Sequence, residues 1–151
     1  MKCLNYWIIA ICFLSLIIGC QHETTQMISK SEMMEIAKRN GEKFSMGIRS
    51  KDANLIANIY SDSAQYVQPN RKILVGRDSI RKDWEGFVHL KENPVDLVLN
   101  IMDVRGNREI IYETGQGYTL LADSTKWRFN YVNVWRLQRD GEYKLEIDTY
   151  N

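Results

Sequence analysis

Beyond position 20 the chain has no cysteine; Cys3, Cys12 and Cys20 are all it contains. Disulfide frameworks, Cys-based zinc sites and thiol nucleophiles are thereby excluded from the rest of the chain. Histidine is almost as scarce. His22 and His89 stand far apart without HExxH spacing, so no metal site is expected, and His89 reads as a surface residue. Proline occurs only as Pro69 and Pro94, which leaves long uninterrupted stretches for helix and strand. Neither sign of charge dominates: 20 Lys and Arg face 19 Asp and Glu. That balance offers no electrostatic grip on nucleic acid, and no nucleic-acid partner is expected. No serine sits in a GxSxG context. Gly115-Gln116-Gly117 lies in a strand pattern with no helix after it, so it reads as a bulge or bend rather than a phosphate cradle. No cofactor is expected.

What is present begins at the N-terminus. Lys2 is followed by an almost wholly apolar run from Leu4 to Ile18, and no acidic residue precedes Glu23. The run is shorter than the about 20 residues that a bilayer core requires, which favours a cleaved export signal over a span. It ends in Ile17-Ile18-Gly19-Cys20. That ending resembles the lipobox of bacterial lipoproteins. The resemblance implies cleavage after residue 19, lipidation of Cys20, and anchorage of the chain to the lipid bilayer of a bacterial cell envelope. Gln21 is not the Asp that retains some lipoproteins at the inner membrane, which points to the outer one. Residues 20–30 are polar and aperiodic and read as the lipidated Cys and a tether. Residues 31–151 are long enough for one domain with its own core.

That domain opens with helical signals. Ser29 and Glu32 have capping-box spacing, and Met33, Ala37, Phe44 and Ile48 recur at helical intervals. Ser50 is placed to cap a second, short helix carrying Leu55, Ile56 and Ile59, closed by Tyr60-Ser61-Asp62-Ser63. A short strand from Ala64 to Gln68 stops at Pro69. Asp78 is placed to cap a third helix whose apolar stripe is Ile80, Trp84, Phe87 and Val88. After Pro94 the period falls to two. Val95 to Met102, Glu109 to Leu121, Trp127 to Arg139 and Tyr143 to Tyr150 read as successive strands, with turns at Gly106-Asn107 and Asp140-Gly141. Helices first and hairpin strands after is an α+β pattern. Three helices on one face of a curved, mainly antiparallel sheet would enclose a conical cavity.

The order of elements, with Leu55 to Ala64, Gly76-Arg77-Asp78-Ser79-Ile80 and Val134-Trp135-Arg136 before Asp140-Gly141-Glu142-Tyr143-Lys144-Leu145, resembles the nuclear transport factor 2-like, or ketosteroid isomerase-like, superfamily. The likeness spans residues 31–151 and points to its uncharacterised, polyketide-cyclase-like (SnoaL-like) branch. It implies a cone fold, which hosts enzymes, binders and scaffolds alike. In the steroid isomerases a catalytic Asp precedes the Pro that matches Pro69. Here that residue is Gln68, which cannot abstract a proton. The His–Asp pair of the related dehydratases has no counterpart either.

Candidate site residues follow from the expected faces. Tyr60, Tyr66, Trp84, Tyr118, Tyr131 and Trp135 fit either the wall of one pocket or a filled core. Gln68, Asn133 and Thr149 are expected to point inward among them. Asp148 borders the cavity, but strict alternation places it outward with Lys144 and Glu146; a bulge would reverse that. Three functions remain open. One is a membrane-tethered module that binds a small apolar or aromatic ligand. Another is an isomerase-, dehydratase- or cyclase-type enzyme using Tyr and Asp148. The last is a scaffold that forms a homodimer through the outer sheet face.

Overall fold

The computed structural model of the protein describes residues 27–92 and 94–151. The expected export signal, Cys20 and residues 20–26 of the tether lie outside them. Helix α1 (Lys30–Ser50) starts as expected, with the Ser29 side chain accepting from the Glu32 N–H at 3.1 Å. Its inward face carries Met33, Ile36, Ala37, Phe44 and Ile48. It ends where Lys51 turns left-handed at φ 54°. Helix α2 (Ala53–Ala57) follows. Ser50 does not cap it, because its hydroxyl bonds back to the Met46 and Gly47 carbonyls. Asp52 caps instead, accepting from the Asn54 and Leu55 N–H groups at 2.8 and 3.2 Å. A carboxylate offers acceptors only, so it suits two orphan donors.

Tyr60 to Ser63, expected to close that helix, belong to strand β1 (Tyr60–Val67). Pairing with a strand far along the chain overrides the local turn signal. A two-residue strand β2 (Leu74–Val75) precedes helix α3 (Arg77–Val88), which buries Ile80, Trp84 and Val88. Asp78 is not its N-cap. Gly76 holds that place at φ 88° without a side-chain bond, and Asp78 sits in the first turn, where its charge complements the helix dipole.

Strands β3 (Pro94–Gly106), β4 (Ile110–Leu121), β5 (Lys126–Leu137) and β6 (Tyr143–Tyr150) complete a six-stranded sheet of order β2-β1-β6-β5-β4-β3. Only β1 and β6 run parallel; the other neighbours are antiparallel. This is the expected α+β arrangement, with helices packed on one face of a curved sheet. Among the described residues no helix is long and apolar enough to cross a membrane.

Two of the sheet's four register breaks bear most on the cavity. In β3, Ile101 pairs with Gly115 and Asp103 with Thr114, so Met102 is the extra residue. In β6, Leu145 pairs with Trp135 and Ile147 with Val134, so Glu146 is extra. Tyr143 and Leu145 are buried before that bulge and Asp148 after it. Gly115-Gln116-Gly117 itself is in continuous register with β5 and is no bulge. Both glycines face inward beneath aromatic rings. A Cβ on Gly115 would stand 2.5 Å from the Tyr131 hydroxyl and from the Asn100 carbonyl oxygen; one on Gly117 would stand 2.7 Å from the Phe129 ring. Gly115→Ala is therefore expected to destabilise the domain by about 1–3 kcal/mol. Urea unfolding checks this, and an unchanged midpoint would mean that the ring moves aside freely.

The outer face of the sheet is mixed. Tyr112 and Val132 are exposed there beside Thr114, Gln116 and Asn130.

Candidate functional site

Helices and sheet enclose a cavity of about 450 Å³. Helix α1 contributes Phe44 to its wall, and α3 contributes Trp84 and Phe87. Leu97 and Leu99 come from β3; Trp127, Phe129, Tyr131 and Asn133 come from β5. The aromatic part is ordered by ring contacts. Tyr66 stacks on Trp84 with centroids 5.6 Å apart, while Phe44 meets Trp84 edge-on at 5.1 Å.

The deep end holds a buried acid. Asp148 is 6% exposed and accepts a hydrogen bond from the Tyr60 hydroxyl at 2.5 Å. The indole N–H of Trp84 donates to that same hydroxyl oxygen at 3.2 Å. An indole only donates, so the Tyr60 proton is committed to Asp148 Oδ2. Burial pushes the Asp148 carboxyl up to about 7; the Tyr60 bond pulls it back, and the charge of Glu113 pushes it up again. Burial, then the neighbouring Asp148 charge, also drives Tyr60 well above the ordinary tyrosine range.

A second acid lies behind the wall. Glu113 is buried on β4 and accepts from Tyr131 Oη at 2.7 Å and from Trp135 Nε1 at 2.6 Å. Its carboxyl is raised by burial and held down by bonds from Tyr131, Trp135 and Asn133. Asn133 pairs with Glu113 on one side and with Asp148 on the other in the strand registers, so its amide stands between the two acids. Its Oδ1 atom is buried without a partner, as is Oε1 of Gln68. Gln68 gives its amide N–H to Asp83 at 2.6 Å, and Asp83 pairs with Arg71 at 2.7 Å.

Of the expected site residues, Tyr66, Gln68, Trp84, Tyr131 and Asn133 line this cavity. Tyr60 lies behind it and reaches it through Asp148. Trp135 is core, bonded to Glu113. Two placements are corrected. Tyr118 lies on the outer face, with the Lys126 ammonium 4.3 Å from its ring centroid. The inward positions of β4 are the odd-numbered ones, and Glu113, Gly115 and Gly117 there disguise a buried face. Thr149 faces outward and Asp148 inward, the reverse of strict alternation, because of the Glu146 bulge. His89 is exposed at the end of α3. Sequence reasoning did not single out Glu113; a charge at an inward position of β4 was its one available signal.

No family model matches the chain, and no curated protein matches it. Solved structures do. A domain of unknown function with a cystatin-like fold from Nostoc punctiforme superposes with a TM-score of 0.70 at 12% identity, covering 82% of this chain and 78% of that one. A protein from Catenulispora acidiphila, solved in complex with S-DNPA, gives 0.69 at 10% identity over 80% and 92% of the two chains. A variant named Rd1NTF2_05 gives 0.66 at 14% identity over 78% and 98%. At these identities the likeness is one of fold: the chain is an α+β cone of the cystatin-like, nuclear transport factor 2-like type.

Proposed function

We propose that the domain binds a small, largely aromatic molecule in its conical cavity. The observation that carries this is an aromatic-walled space of about 450 Å³ with buried polar groups in its wall. Pockets of this size and lining hold small ligands. A neighbour of the same fold has been solved in complex with a small molecule. The test is a thermal-shift screen of the purified protein against small aromatic metabolites. A ligand at about 100 times its Kd adds about 2.7 kcal/mol to stability. Gly86→Phe supplies the control. Gly86 lines the cavity, and a Cβ there meets nothing within 4 Å, so the ring obstructs the cavity without disturbing the core. A shift lost in that variant places the ligand in the cavity. A cavity holding only water in every crystal, with no hit, would overturn the proposal.

A second reading rests on Asp148. A carboxyl titrating at about 7 can take or give a proton at neutral pH, and its bond from Tyr60 holds it in one orientation. Under this reading the domain performs acid–base chemistry of the isomerase, dehydratase or cyclase kind. A turnover that Asp148→Asn abolishes while the same ligand still binds would establish it.

We also propose that Cys20 is lipidated and tethers the domain to a bacterial envelope membrane. Residues 1–20 support this by their charge, apolar run and Ile17-Ile18-Gly19-Cys20 ending. Mass spectrometry of the N-terminal peptide tests it, and an unmodified Cys20 with residues 1–19 still attached would refute it.

A further inference from the structure

Two amide side chains in the cavity wall are oriented by carboxylates, and the orientation decides what they offer a ligand. Gln68 is 5% exposed, and its Nε2 faces Asp83 Oδ2 at 2.6 Å. Asp83 in turn pairs with Arg71. A carboxylate has no proton to give, so the amide nitrogen must face it and the oxygen must turn away. Asn133 is 2% exposed, and its amide donates to Glu113 on the same logic. Both amide oxygens, Gln68 Oε1 and Asn133 Oδ1, are left buried without a partner on residues that line the cavity.

Most of the donors around them are already used. Tyr60 gives its proton to Asp148, and Tyr131 and Trp135 give theirs to Glu113. Trp84 donates to Tyr60. The wall is therefore rich in acceptors: two amide oxygens and, when ionised, the Asp148 carboxyl. Arg71, paired with Asp83, and Arg128 also line the cavity.

We infer that the cavity selects its occupant by hydrogen-bond donors: the ligand is a flat aromatic molecule whose inner end carries N–H groups, such as an amidine or aryl amine. This rests on reading the cavity as a ligand site. An anionic inner end would meet two carbonyl oxygens and two acids. A bare hydrocarbon would leave both oxygens without a partner and so gain nothing from them. A donor end offers such an oxygen the partner it lacks.

The experiment compares three probes of one shape by titration calorimetry on the full chain: 2-naphthamidine, 2-naphthoate and 2-isopropylnaphthalene. The amidine is expected to bind at least about tenfold more tightly than either of the others. Equal or tighter binding of the naphthoate or the hydrocarbon would overturn donor selection while leaving the ligand-site reading standing. Binding of none of the three, with only water in the cavity, would overturn both. Gln68→Met and Asn133→Leu each remove one orphan oxygen. Either, if folded, is expected to erase most of the amidine preference and to tighten the hydrocarbon. A preference retained in full by both would overturn the inference.

Discussion

Asp148→Asn is expected to stabilise the domain by about 4 kcal/mol at pH 8 and by almost nothing at pH 4. The sign follows from the direction of the shift. Burial raises the carboxyl from its ordinary 3.8 to about 7, so the folded chain holds a proton that the unfolded chain has released. The stability this proton supports is fully present below about pH 4 and is lost as pH rises through about 7. Asn imitates the protonated acid. Its oxygen accepts from Tyr60 as Oδ2 does, and its amide takes the place of the carboxyl O–H. The difference between wild type and variant, measured by urea unfolding at pH 4, 6 and 8, isolates this one group from every other titration. A difference independent of pH would mean that Asp148 is not the group that titrates. A carboxyl that weakens the fold at neutral pH marks a candidate functional group.

Glu113→Ala is the most damaging single change expected in the wall, at about 3–5 kcal/mol. Its carboxylate receives Tyr131, Trp135 and Asn133, so truncation strands three buried donors and opens a void. The loss would consume a large share of the 5–15 kcal/mol that typical domains possess. Glu113→Gln should cost roughly half as much or less. Tyr131 can turn its hydroxyl to accept from the new amide, whereas the Trp135 N–H cannot turn and keeps the remaining oxygen. Chemical denaturation of both variants separates hydrogen bonding from volume. Equal costs for Ala and Gln would show that the three bonds contribute little.

The fold was legible where large side chains repeat with a clean period. In β5, Trp127, Phe129, Tyr131, Asn133 and Trp135 alternate, and that face lines the cavity and core. Asp140-Gly141 marked the last hairpin, and the limits of β6 matched. The site was legible less evenly. In β4 the buried face carries a charged residue and two glycines, because Tyr131 and Phe129 fill the space over the glycines. Composition alone therefore pointed to the wrong side and drew in Tyr118. In β6 nothing in Glu146-Ile147-Asp148-Thr149 announces a bulge: there is no glycine and no proline. A bulge of this kind comes from fitting β6 between two neighbours at once, β1 and β5, and so from tertiary pairing. It exchanged Asp148 for Thr149 on the inward face. Strand β2, two residues long, exists only through its pairing with Gln65 and Tyr66 and has no signal of its own.

The place of β6 between β1 and β5 also governs the order in which the molecule can assemble. Strand β1 is synthesised before any of the others, yet its parallel partner emerges after β3, β4 and β5. Until then β1 and the apolar stripe of α3 have only the two-residue β2 beside them, and pairings across long sequence separations close slowly. The Trp84–Tyr60–Asp148 chain joins segments from α3, β1 and β6, so it forms only at that closing step. Trp84 fluorescence should therefore report the end of folding rather than its beginning. Chaperones and proteases would meet a half-built cone whose acid is still in water.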